Sequence, residues 1–129
     1  MNDEQKEIAA IYIQIFVSII SIFAVIISIL LLYNEKLEIK GEKTLFSPKQ
    51  TQKISVFNRN VLLGIAITFL LINFQLYNIS KKQGENLKPY KLQIAASSLT
   101  VIAALITLYV VLNPTTNQGQ VSDVENPII

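Results

Sequence analysis

Cysteine, histidine and tryptophan are all missing from these 129 residues. Without cysteine there are no disulfides, no thiolate nucleophile and no thiolate metal site. Without histidine the commonest metal ligand and the commonest general base are gone. Charge is sparse as well: 11 Lys+Arg against 9 Asp+Glu leave a net +2, too small to argue for nucleic acid. More telling is where charge is missing. Ile8–Tyr33, Val61–Ile79 and Leu92–Leu112 contain no Lys, Arg, Asp or Glu at all.

What fills those stretches is Ile, Leu, Val, Phe and Ala, and each is close to the ~20 residues a helix needs to cross a ~30 Å hydrocarbon core. The mean hydropathy of the chain is +0.45. The fold class expected is therefore all-α: an integral membrane protein of three transmembrane helices over 1–112, followed by a polar tail, 113–129, expected to be disordered. The connecting segments 34–60 and 80–91 are too short to bury a core of their own, since folds below ~40 residues usually need staples. The leader through Glu7 is acidic, and the apolar run after it exceeds a 7–15-residue signal core, so it reads as a retained first span. Asn2 is not a myristoylation glycine, and no cysteine is present to be acylated. Richness in Ile, Asn, Lys, Phe and Tyr suggests an AT-rich, bacterial genome.

Local signals place the helix ends. Helix 1 should run from near Glu4 to about Lys40 and stop at Gly41, because glycine adopts the left-handed cap at little cost. Ser47-Pro48-Lys49-Gln50 reads as a helix start with a capping box. Segment 48–60 then reads as an amphipathic lead-in continuous with span 2, with Asn58, Arg59 and Asn60 at headgroup level. Gly84 marks the second turn, Pro89 suits a first helical turn, and Asn113 before Pro114 ends helix 3. Tyr12, Tyr77 and Tyr90 fall near one membrane face and Tyr33 and Tyr109 near the other, where aromatic rings favour the interface.

Small and polar residues recur at spacings of three and four: Gln14, Ser18, Ser21, Val25 and Ser28 in helix 1; Gly64, Thr68, Leu71, Gln75 and Asn78 in helix 2; Gln93, Ala96, Thr100, Ala103 and Thr107 in helix 3. Helices in lipid associate through small residues and interhelical hydrogen bonds. These stripes predict a left-handed three-helix bundle with a crossing near +20°, or a surface for a protein partner or a second copy. Gln14, Asn73, Gln75, Asn78 and Gln93 all fall toward one face and form a candidate intramembrane polar cluster, with Gln14 expected to approach Gln75. The cluster reads as structural glue, or as a polar vestibule for a headgroup, a water chain or a partner helix. The sequon Asn78-Ile79-Ser80 lies against the membrane and is discounted.

Basic residues set orientation. Lys36, Lys40, Lys43, Lys49, Lys53 and Arg59 share one side; Lys6, Lys81, Lys82, Lys88 and Lys91 share the other, six against five, which is essentially no bias. Helix 1 breaks the tie, being acidic upstream and basic downstream, which gives N-terminus out and C-terminus cytoplasmic. Antiparallel dimers, or a second span that fails to cross, are the alternatives. No ionisable group is expected at depth, so catalysis and proton coupling are not expected, nor any cofactor or metal. The function expected is a non-catalytic accessory or structural subunit of a membrane complex, with the bilayer and other helices as its partners. A homo-oligomeric pore is the alternative. In size, span number and orientation the chain resembles three-span phage holins. Its tail departs from their basic tails, carrying only Asp123 and Glu125 as charges.

Overall fold

The computed structural model describes residues 2–113, so the expected disorder of the tail lies outside the described residues. Three helices make up the described residues, α1 (Asp3–Ile39), α2 (Pro48–Lys82) and α3 (Lys88–Leu112), with no strand among them. Each is long and apolar enough to cross a membrane. At ~1.5 Å per residue they measure about 55, 52 and 37 Å.

Their ends follow from local chemistry. Asn2 caps α1: its side chain accepts from the Gln5 N–H, and the Gln5 side chain accepts in return from the Asn2 N–H, at 2.8 and 3.0 Å. Ser47 and Gln50 make the same reciprocal pair at the start of α2, with Pro48 in the first turn. Both α1 and α2 stop in Schellman turns. Glu42 N–H bonds the Leu37 carbonyl and Gly41 N–H that of Glu38; Glu85 and Gly84 repeat the pattern on Ser80 and Lys81. The two glycines supply the positive φ, +71° and +70°, that the turn requires.

Packing selects a narrower set of residues than the predicted stripes. In α1 the buried positions Ala10, Val17, Ala24 and Leu31 recur every seven residues, with Ser28 beside them. Ser18, placed on the seam by its size, is exposed, and Ser21 is only half-buried. In α2 Asn58, Ile72 and Ile79 fall on one seven-residue strip, and Arg59, Ala66 and Ser80 on the neighbouring one. Gly64, Gln75 and Asn78 are exposed, Leu71 is 63% exposed and Thr68 is half-buried, so this stripe lies beside the buried strips, not in them. In α3 the buried pair is Ala104 and Val111; Ala103 and Thr107 are half-buried, while Gln93, Ala96 and Thr100 are exposed. A stripe chosen for small side chains misses seams that also bury Leu, Ile and Arg.

The helices lie in a row. α2 packs against α1 on one side and, more extensively, against α3 on the other, whereas no Cα atoms of α1 and α3 come within 8 Å of each other. The outer surfaces carry Ile11, Phe16, Ile19, Phe23, Leu99, Ile102 and Ile106, all about half exposed or more. A helix apolar on its outward face belongs in lipid or under another helix.

Candidate functional site

Four amides bind the row together. Asn58, fully buried, donates from Nδ2 to the Ala24 carbonyl and to Ser28 Oγ at 3.2 and 3.0 Å. Asn34 Oδ1 accepts from the Leu45 and Phe46 N–H groups at 2.8 and 2.9 Å, and its Nδ2 donates to Thr51 Oγ1 at 3.3 Å, tying the first connector to both helices. Gln52 Nε2 reaches the Val111 carbonyl at 2.6 Å. Asn73 donates to Ser97 Oγ and, at 3.4 Å, to the Gln93 carbonyl. These bonds fix the register between neighbours.

The hydroxyls behave differently. Ser21, Thr68, Ser98, Thr100 and Thr107 all donate to carbonyls three or four residues back on their own helices, at 2.8–3.0 Å. They hold no neighbour. Interhelical bonding falls instead to side chains long enough to cross between helix axes.

The predicted polar cluster divides. Asn73 is committed to α3. Gln14 is half-buried and makes no hydrogen bond to Gln75. Gln93 is exposed and contributes only its carbonyl. Gln75 and Asn78 open together onto a cleft of about 930 Å³ between the start of α1 and the end of α2, whose mouth also carries Lys6, Lys81 and Lys82.

A second groove, about 380 Å³, lies over α2 between α1 and α3. Ser21 and Val25 line one wall, Ala96, Thr100 and Thr107 the other. Its floor includes Arg59, which is 1% exposed. Asn58 and Arg59, expected at headgroup level, are both buried between helices. Asn58 sits level with Ala24, nine residues or about 14 Å inside Tyr33 along the apolar run of α1. Arg59 is thus an ionisable side chain buried among the helices. The signal missed was the seven-residue spacing of Gln52, Arg59, Ala66 and Asn73, which puts Arg59 on the seam facing α3. Reading the triplet Asn58-Arg59-Asn60 as polar chain outside the apolar run hid it.

Compared with family models, with curated proteins and with solved structures, the chain matches none of them.

Proposed function

We propose that this chain is a non-catalytic integral membrane protein of the cell membrane, a structural or accessory subunit of a larger assembly. Its three spans pack left-handed, with the N-terminus outside and the C-terminus cytoplasmic. The seven-residue seam of α1 supports that handedness, because it is the repeat of left-handed packing. The observation that carries the subunit role is the set of small residues left unused. Gly64, Ala96 and Thr100 are exposed, although small residues are what helices in lipid pack through. Meanwhile the amides at the helix contacts hold helices together instead of converging on a reaction centre. Extraction in mild detergent tests the role. Recovery with a second membrane protein at fixed stoichiometry supports it, and a stable species of one chain alone sinks it.

A homo-oligomeric pore is the second reading, favoured by the Lys6, Gln75, Asn78, Lys81 and Lys82 cleft, which a ring of copies could turn toward a channel mouth. A large species containing only this chain selects it.

A further inference from the structure

The cleft between α1 and α2 is graded in polarity along its length. At its mouth stand three ammonium groups, Lys6, Lys81 and Lys82. The Asn78 amide lies one turn deeper and that of Gln75 two, and beyond them the walls are Ile13, Leu71, Ile72 and Phe74, ending at Thr68, whose hydroxyl is taken up by the Gly64 carbonyl. From Lys81 to Leu71 is ten residues, about 15 Å along the helix, the depth of one leaflet of a ~30 Å hydrocarbon core. The amides carry the second observation. Asn34, Gln52, Asn58 and Asn73 all hydrogen-bond across to other elements. Gln75 and Asn78 are exposed and bond nothing among the described residues. In hydrocarbon an unpaired amide is costly, so a polar group that accepts their N–H protons belongs beside them. The ammonium groups are donors only, and each amide adds two donors beside its one carbonyl acceptor, so donors outnumber acceptors. No acidic side chain lines the cleft; Glu7 and Glu85, close by in sequence, are not among its walls. A collection of donors above an apolar trough fits an anionic headgroup with an acyl chain beneath it.

We propose that this cleft is a binding site for one anionic phospholipid, its phosphate held by Lys6, Lys81, Lys82 and the Gln75 and Asn78 amides, and a chain lying along Ile13 and Leu71. The site rests on the membrane-spanning reading and is independent of the subunit role.

The full chain is reconstituted into phosphatidylcholine vesicles containing spin-labelled phosphatidylglycerol or spin-labelled phosphatidylcholine, and the motionally restricted fraction of each label is compared. A preference of roughly fivefold or more for the anionic label is expected, the factor one well-placed lysine confers. The double variant Lys81→Gln/Lys82→Gln should bring it near unity. Gln75→Leu/Asn78→Leu should weaken it with every lysine intact, which diffuse surface charge would not do. All four positions are exposed, so the fold is retained, as circular dichroism will verify. Equal restriction of both labels by the wild-type chain overturns the site, and so does a preference lost equally on Lys88→Gln/Lys91→Gln, outside the cleft. A cleft filled by a second copy would show as a dimer without lipid preference, which also overturns it. Failure to enter vesicles at all would instead overturn the membrane-spanning reading.

Discussion

Asn58 and Ser55 sit one helical turn apart in α2, both buried, and the contrast between them separates useful polarity from tolerated polarity. Asn58 Nδ2 makes two bonds to α1 while its Oδ1 is buried without a partner, whereas Ser55 Oγ, also buried without a partner, donates to nothing. Removing a bonded buried amide loses its bonds and leaves a void. Removing an unbonded hydroxyl relieves a desolvation cost. Asn58→Ala is expected to destabilise the chain by about 1 kcal/mol, the loss of two interhelical bonds of ~0.6 kcal/mol each and the cavity being partly offset by removal of the unpartnered Oδ1. Ser55→Ala should be neutral or stabilising by up to ~1 kcal/mol. Reversible unfolding in mixed micelles with increasing dodecyl sulfate measures both, and equal losses would show that the Asn58 amide does not hold α1. This level was the least legible in the sequence. Which polar side chains cross between helices depends on register, which single-helix spacing does not contain. So Asn58 and Arg59 read as interface residues, and of the stripe's hydroxyls only that of Ser28 meets another helix, while those of Ser21, Thr68, Thr100 and Thr107 are taken up by their own helices.

The elements themselves were legible almost to the residue, because what starts and stops a helix lies within four or five positions of its end. Ser47, Pro48, Gln50, Gly41 and Pro89 each act through a neighbouring backbone group. The Asn2–Gln5 box was missed, although asparagine followed three residues later by glutamine was there to be read. The three described glycines now divide into two kinds. Gly41 and Gly84 hold positive φ, and an added Cβ on either would touch nothing within 4 Å, so alanine there suffers only from the backbone. Gly41→Ala is expected to cost about 1 kcal/mol and to speed amide exchange over residues 37–42. Gly64 lies inside α2, also with open space at its Cβ. Gly64→Ala should therefore stabilise the isolated chain by about 0.8 kcal/mol through helix propensity. If a partner helix packs there, Gly64→Leu will dissolve the assembly while leaving the monomer folded. A detergent-extracted species of unchanged mass would remove Gly64 from any interface.

At the scale of the molecule, orientation turns on a count that the fold alters. With Arg59 buried between helices instead of lying in the first connector, Lys36, Lys40, Lys43, Lys49 and Lys53 face Lys6, Lys81, Lys82, Lys88 and Lys91, and the basic residues balance evenly. α2 is one unbroken helix from Pro48 to Lys82, so nothing in it reverses the chain midway, and a second span that fails to cross would need a break the helix lacks. The remaining asymmetry belongs to α1, whose first turn carries Asp3 and Glu4 and whose last carries Lys36. Lys36 also sits 5.7 Å over the Tyr33 ring, a cation and an aromatic anchor together at the end that should stay cytoplasmic. Because the chain has no cysteine, a single introduced thiol is a unique probe. Gln83→Cys in the turn after α2 is expected to react with an impermeant thiol reagent on intact cells, and Ser122→Cys in the tail is expected to be protected. The reverse pattern would put the Lys6, Lys81 and Lys82 cleft on the cytoplasmic leaflet. Reaction at both positions in every cell would mean that the chain inserts in two orientations, which is what an even count of basic residues permits when α1 does not decide.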